Sequence, residues 1–427
     1  MEKFIINGGI PLNGELTPSG NKNAALPLLA ACLLTSEPVT LHNVPDILDV
    51  KALLKLLESL NVKIEPLSQT SFRFDSSDIR PADLDPTLCR QIRASILLAG
   101  PLISRVNELN LPPPGGDIIG RRRVDTHFLA FSRLGVTITI VDNQFRFESK
   151  GLNGADILLD EASVTATENA IMACVLAKGE STIRNAASEP HIQELCLFLN
   201  QLGAKIDNIG SNTLQITGVK ELGGGEFTIG PDYLEVVSFI GAAVVTRGSI
   251  RIQNAGVKHL DMIQLVMNRL GVDWETYGDD IVVPQYQNLT IKPDLGNAIP
   301  EISVMPWPAF PTDLMSIAIV VATQSTGSIL FHDWMYPSRM FFTDKLVSMG
   351  AQIVLCDPHR CIVQGPTRLS GEQLESPDIR AGMALLLAAL SAEGKSIIRN
   401  VSQIDRGYQA VDLKLKSLGA DIQRVSE

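Results

Sequence analysis

Two kinds of hydrophobic pattern alternate along this chain. In the first, apolar residues cover every face. The runs 24–34 near the start and 381–390 near the end have no polar side to offer water, and such a helix must be buried all round. In the second, apolar residues form one stripe. Val50, Leu53, Leu54 and Leu57 have the i, i+3, i+4, i+7 spacing of a half-exposed helix. Short strand-like runs, such as 182–185, 250–254 and 397–400, fall between the two kinds of helix. After the second helix come a sharp corner and a hairpin pattern, as in 136–140 with 144–148 and 205–206 with 213–217.

This order of elements recurs six times. The corners are Leu60-Asn61-Val62, Leu134-Gly135-Val136, Leu202-Gly203-Ala204, Leu270-Gly271-Val272, Met349-Gly350-Ala351 and Leu418-Gly419-Ala420. Glycine or asparagine at the middle position suits a helix stop. The all-round apolar helices start near Asn23, Arg93, Glu168, Tyr233, Asp313 and Arg380. A period of roughly 70 residues with one buried and one outer helix makes each copy a βαβαββ-like unit. Three units can gather three buried helices at a centre, with sheets and outer helices around them, and six units make two such globules. The expected fold class is therefore α/β: two inside-out α/β barrel domains of three repeats each. Strand-like 3–6 has no buried helix before it and is expected to complete the last unit. That makes one domain discontinuous: 23–231 form the first, and 1–22 plus 232–427 the second, joined by a short double crossing.

Most of the buried helices begin with a charged or amide residue: Lys22 and Asn23, Arg93, Glu168 and Asn169, Asp313, Arg380. Helix N-termini carry unpaired N–H groups and partial positive charge. Asparagine and aspartate cap such ends. Lysine and arginine are disfavoured there unless an anion sits between them. If the ends meet in a cleft between the domains, they make a site for phosphate or carboxylate. Copy two carries the strongest local signal. Between Leu111 and His127 it holds three prolines, three glycines and three arginines, where the other copies have a strand and an amphipathic helix. In a chain of net charge −11 this reads as a loop for anions.

The same net charge argues against a general nucleic-acid binder, which needs a basic face. A six-unit ring of the DNA-clamp kind would need basic helices lining a hole, and these helices are apolar. At 427 residues, 45% hydrophobic and 19% charged, the chain has the composition of a globular protein of about two or three domains. Six scattered cysteines suit buried thiols of a reducing compartment. The group from Cys356 to Cys361 lacks the second ligand pair of a zinc site. No signal peptide is visible, and no apolar run approaches the ~18 residues of a membrane span. The expectation is a soluble, cytoplasmic protein with no metal, no cofactor and no membrane or nucleic-acid partner.

Several segments then point the same way: Ser19-Gly20-Asn21-Lys22-Asn23-Ala24, Ile92-Arg93-Ala94-Ser95, Gly115-Gly116 through His127, Ala166-Thr167-Glu168-Asn169, Phe310-Pro311-Thr312-Asp313, Asp378-Ile379-Arg380-Ala381-Gly382 and Ile404-Asp405-Arg406-Gly407-Tyr408. Together, over the whole chain, they resemble the enolpyruvyl transferase family, in the branch serving peptidoglycan synthesis. The Ser-Lys-Ser start usual in the shikimate branch does not stand around Lys22. The resemblance implies transfer of the enolpyruvyl group of phosphoenolpyruvate to the 3-hydroxyl of UDP-N-acetylglucosamine, with release of phosphate. By that resemblance Lys22, Arg122, Arg380 and Arg406 hold phosphoenolpyruvate, and Asn23 bonds the intermediate. Asp313 corresponds to the base that takes the hydroxyl proton, and to a ligand of that hydroxyl. Arg93, Arg122, Arg123, Val124, Asp125, Thr126, Glu161, Ala162, Ser163 and Val164 match nucleotide-sugar contacts, and Met335 a backbone contact to the sugar.

Some positions depart from the family's usual pattern. Asp117 stands where most members carry a cysteine. An acid there suits protonation of a carbon centre, and implies insensitivity to fosfomycin. Glu161 replaces a usual lysine, Arg123 a proline, Thr126 a leucine, Thr165 a glycine and Tyr233 an arginine. Tyr336-Pro337-Ser338-Arg339 differs from the usual Phe-Glu-Asn-Arg. One account is compensating drift, with Arg123 supplying the charge lost at Glu161. The others are a different acceptor, such as another UDP-sugar or UMP in nucleoside-antibiotic synthesis, and a non-catalytic nucleotide-sugar binder.

Overall fold

In the computed structural model, which describes residues 2–80, 84–116, 120 and 122–426, the all-round apolar segments are helices inside their own globule. They are Lys22–Ala31, continued by the 3-10 turn Cys32–Leu34; the 3-10 segment Arg93–Leu98 running into Ala99–Arg105; Val164–Cys174; Tyr233–Val245; the turn Thr312–Leu314 leading into Met315–Ala322; and Ile379–Ser391. Every residue of Tyr233–Val245 and of Met315–Ala322 is buried. The helix of copy three starts at Val164, a turn earlier than expected. Glu168 and Asn169 are thus inside it and not at its end.

Copy three shows the unit plainly. Strand Asp156–Leu158 runs parallel to Glu180–Arg184 across the inner helix. Thr213–Thr217 then pairs antiparallel with Glu180–Arg184, and Lys205–Asp207 closes the order. The outer helix Pro190–Gln201 joins the two halves. Copy five repeats this with Glu301–Ser303, Gly327–His332, Arg360–Gly365 and Gln352–Asp357. In copy six the N-terminal strand Glu2–Asn7 fills the place between Lys395–Arg399 and Asp421–Ser426, antiparallel to both. Copies one and four exchange their edge strands. Asn13–Leu16 precedes the helix of copy one but lies parallel to Ser249–Ile252. Gly225–Thr228 precedes the helix of copy four but lies parallel to Val39–His42.

The chain therefore forms two units, one taking in 20–116 and 122–230, the other 2–19, 120 and 231–426. Residues 20–22, expected with the discontinuous unit, go with the 20–230 unit instead. The reason is local: the Asn21 side chain accepts from the N–H groups of Asn23 and Ala24 and so caps the helix that follows. Pro231 moves the other way, ahead of the capping residue Asp232.

Copy two needs a larger correction. Its strand and outer helix are not replaced by the loop. Glu108–Leu111 pairs antiparallel with Gln144–Glu148, and Asp125–Arg133 forms the outer helix. Leu109, Leu111, Ala130 and Phe131 are buried, so both elements are needed to close the core. The proline, glycine and arginine stretch is an insertion between them.

All six corners have their middle residue at positive φ, from 67° at Asn61 to 104° at Gly203 and Gly350. This is the left-handed region that glycine and asparagine tolerate best. Gly241 serves closeness instead. A Cβ there would lie 2.8 Å from Ile317 Cγ2 and 2.9 Å from Leu387 Cδ2, where the three inner helices of the discontinuous unit meet. No helix among the described residues is long and apolar enough to cross a membrane. Gly241→Val should lower the unfolding free energy by about 1–3 kcal/mol through overpacking. A urea titration checks this, and an unchanged midpoint would mean the helices do not meet so closely.

Candidate active site

Each unit carries its own cluster of charged residues at the ends of its inner helices. In the discontinuous unit the centre is Asp313. Its Oδ1 accepts from Arg339 Nη2 at 2.9 Å, and its Oδ2 lies 3.1 Å from Arg380 Nη2. The two arginine side chains are 4% and 6% exposed, Asp313 27%. The carboxylate is thus gripped from the buried side and remains partly exposed. Arg380 also donates from Nη1 to Tyr408 Oη at 3.2 Å and stands over that ring, 5.6 Å from its centroid. Tyr408 in turn bonds Ser238 Oγ at 2.9 Å. Burial pushes the Tyr408 hydroxyl up, with Arg380 opposing it. Burial works against the Arg380 charge, but Asp313 and its neighbours outweigh that and raise its pKa.

The helix start is built by its sequence. The Asp378 side chain caps Ile379–Ser391 by accepting from the N–H groups of Arg380 and Ala381 at 2.8 and 2.9 Å. Asp333, wholly buried, accepts from Thr312 Oγ1 at 2.5 Å and from the N–H groups of Met335 and Tyr336. It ties the segment before Asp313 to the loop carrying Met335. Arg406 follows the short helix Ser402–Asp405 and donates to Gln403 Oε1 at 3.1 Å. Tyr233, where an arginine is usual, is buried against Trp307, with ring centroids 6.0 Å apart.

In the 20–230 unit, Lys22 Nζ lies 2.8 Å from Asp49 Oδ2, both side chains under 10% exposed. Asn23 occupies the next position, its N–H held by Asn21. The anion that justifies a cation at this helix start is a protein carboxylate, as it is for Arg380. Arg93 Nη2 donates to the carbonyl of Arg123 at 2.6 Å. The loop base is packed on backbone: a Cβ on Gly115 would fall 1.6 Å from the Arg90 carbonyl oxygen, and one on Gly116 would lie 3.5 Å from Arg122 Nη1. Arg123, exposed, meets Asp125 and Asp160. Val124 precedes the outer helix, and Thr126 is buried within its first turn. Glu161 is exposed, and Ala162, Ser163 and Val164 are partly buried where the inner helix begins. The Ser163 carbonyl accepts from Thr167 Oγ1 at 2.8 Å. Asp117 lies outside the described residues.

A buried polar chain runs behind these groups. Asn169 Oδ1 accepts from Gly100 N–H at 2.8 Å, which orients the amide so that Nδ2 donates to the Ile96 carbonyl and to His127 Nδ1. His127 Nε2 then carries the proton and donates to Thr165 Oγ1 at 3.1 Å. Burial, helped by the charge of Arg93, pushes the imidazole down to about 3. Burial, with Glu189 nearby, pushes the Glu168 carboxyl well above its usual range.

Sequence reasoning did not single out Asp49, Asp160, Asp333, or Arg339 as a partner of Asp313. Asp49 left one signal: it heads the buried stripe of its helix with Ala52, Leu53 and Leu56, where a lone charge needs a partner. Among the described residues no group of three or more histidine, cysteine or acidic side chains is placed to hold a metal. Cys356 is exposed and Cys361 buried.

Units of this architecture, with inner helices and outer sheets, are those of the enolpyruvyl transferases. Residues 6–415 match the EPSP synthase (3-phosphoshikimate 1-carboxyvinyltransferase) family, and the chain belongs to it. Among its relatives, the UDP-N-acetylglucosamine 1-carboxyvinyltransferase of Bradyrhizobium diazoefficiens is 55% identical, covering 100% of this chain and 98% of that one. The protein of the same name from Treponema denticola is 51% identical over 99% of each chain, and that of Bacteroides fragilis 46% over the full length of both. Among solved structures, the enolpyruvyl transferase NikO from Streptomyces tendae superposes with a TM-score of 0.88 at 25% identity, covering 100% of this chain and 99% of that one. EPSP synthase from Acinetobacter baumannii, at 0.77 and 16% over the full length of both, shares the fold.

The neutral His127 gives stability a pH dependence. As pH falls from 6.5 toward 3, the unfolded imidazole takes a proton that the folded one refuses. Its contribution is present above 6.5 and is lost below it, by at most about 1.4 kcal/mol per pH unit. His127→Gln should flatten the difference in urea-unfolding free energy between pH 7 and pH 5. An identical pH slope in both proteins would contradict the buried neutral state.

Proposed function

We propose that the chain transfers the enolpyruvyl group of phosphoenolpyruvate to the 3-hydroxyl of UDP-N-acetylglucosamine, releasing phosphate, as the first committed step of peptidoglycan synthesis. One observation carries this reading: relatives with that acceptor in their names are 46–55% identical over the whole chain, against 25% for NikO. That contrast favours UDP-N-acetylglucosamine over another acceptor. The intact pairing around Asp313 speaks for an enzyme over a mere binder. A cytoplasmic setting is supported by six free cysteines, five of them buried.

The chemistry asks for cations on phosphate and carboxylate, an acid for C3 of phosphoenolpyruvate and a base for the sugar hydroxyl. We assign Asp313 as the base, since its carboxylate is aimed by Arg339 and Arg380 and is partly exposed. It takes the hydroxyl proton as the sugar oxygen bonds to C2, while C3 gains a proton. The tetrahedral ketal then gives back the C3 proton and expels phosphate, leaving the enol ether. Lys22, Arg122, Arg380 and Arg406 are assigned to phosphoenolpyruvate, with Asn23 on the intermediate. Lys22 and Arg380 each wait on a carboxylate, Asp49 and Asp313, so they are already oriented when a substrate anion arrives. Arg93, Arg123, Val124, Asp125, Thr126, 161–164 and the Met335 backbone are assigned to the nucleotide sugar. Asp117 is assigned as the acid for C3.

Phosphate release should follow mixing of the protein with phosphoenolpyruvate and UDP-N-acetylglucosamine, and should be absent with UMP. The reverse result would replace the acceptor. Asp313→Ala should lower kcat at least about 100-fold, and full turnover would refute the assignment of the base.

A carboxylate is a poorer nucleophile than a thiolate, so fosfomycin should leave the protein active. Asp117→Cys should make it inactivable, with the adduct seen by mass spectrometry. Rapid stoichiometric modification of the natural protein at Asp117 would overturn this.

A further inference from the structure

Arg123 and Thr126, two of the departures from the family pattern, are tied to one residue. Asp160 Oδ2 accepts from Arg123 Nη2 at 2.7 Å, and Asp160 Oδ1 accepts from Thr126 Oγ1 at 2.7 Å. One carboxylate thus holds both ends of the segment 123–126. Inside it, Arg123 Nε meets Asp125 Oδ2 at 3.2 Å, and Arg93 holds the Arg123 carbonyl. Backbone and side chains of the segment are constrained together. The bonds from Thr126 and Arg123 keep the Asp160 carboxyl below its usual range, so it is an acceptor at both oxygens at neutral pH. The same geometry removes the simplest account of Arg123. Its guanidinium already serves two carboxylates, so it does not stand in for a cation at Glu161.

We propose that Asp160 is a positioning residue for the nucleotide part of the acceptor: it fixes segment 123–126 as a preformed surface for that ligand. This rests on the acceptor reading above. Because the segment is assigned to the acceptor and not to phosphoenolpyruvate, the effect belongs in one KM and not the other. Asp160→Asn replaces an acceptor oxygen with an amide and removes the charge. Thr126→Val cuts one of the two bonds, and Thr126→Ser keeps it.

Steady-state kinetics with both substrates varied tests this, alongside calorimetric binding of UDP alone. Asp160→Asn and Thr126→Val should each raise the acceptor KM about tenfold, the scale of losing one charge-assisted bond, and weaken UDP binding in step. Thr126→Ser, which keeps the hydroxyl, should recover most of what Thr126→Val loses, and the double variant should be no worse than Asp160→Asn alone. The KM for phosphoenolpyruvate and kcat at saturating acceptor should stay within about threefold. Equal rises in both KM values, or an unchanged acceptor KM, would overturn the proposal. If the natural protein turns over another acceptor and ignores UDP-N-acetylglucosamine, the acceptor reading fails by itself. The same variant ratios on the acceptor used would still decide the role of Asp160.

Discussion

A helix that is apolar on every face has to lie inside, and six such helices govern everything else in this chain. With Tyr233–Val245 and Met315–Ala322 buried along their whole length, the sheets and the amphipathic helices are left to cover the outside. A charge carried at the end of such a helix must be paired. Lys22 finds Asp49, and Arg380 and Arg339 share Asp313. Breaking such a pair leaves an uncompensated buried charge, which is costly. The carboxylates also hold the cations in one orientation, so the cations assigned to anion binding are ones that folding already keeps paired.

The repeat tolerates change where the core is not touched. Copy two keeps the strand Glu108–Leu111 and the helix Asp125–Arg133, because both bury residues in the common core, and inserts its loop between them. Copies one and four exchange edge strands at the chain crossings. Both pairings stay parallel, so the backbone hydrogen bonds of each sheet are satisfied whichever copy the strand precedes. What varies among copies is thus what the loops and helix ends carry, as expected when function is placed on a repeated scaffold.

Much of this was legible in the order of residues. The all-round apolar runs, the stripe at Val50, Leu53 and Leu57, and the corners with a left-handed middle residue are local patterns with one physical solution each. So is the completion of the last sheet by Glu2–Asn7, since a strand without a helix before it needs a partner elsewhere. The motifs around Lys22, Asp313 and Arg380 marked the groups assigned to the chemistry. Their partners were harder to read. Asp49 and Lys22 are separated by an inner helix and a strand, and so are Asp313 and Arg339. Asp160 is joined to Thr126 across three strands of intervening chain.

By itself the sequence determined the number of units, the burial of one helix in each, and the residue types available for anion chemistry, because periodicity and side-chain polarity act over a few turns of chain. Only the tertiary structure decided which carboxylate neutralises which cation. It decided that Arg123 is already satisfied by Asp125 and Asp160, and that His127 stays neutral between Asn169 and Thr165. Pairing energies depend on distances of about three ångströms between groups remote in sequence, and folding sets those distances.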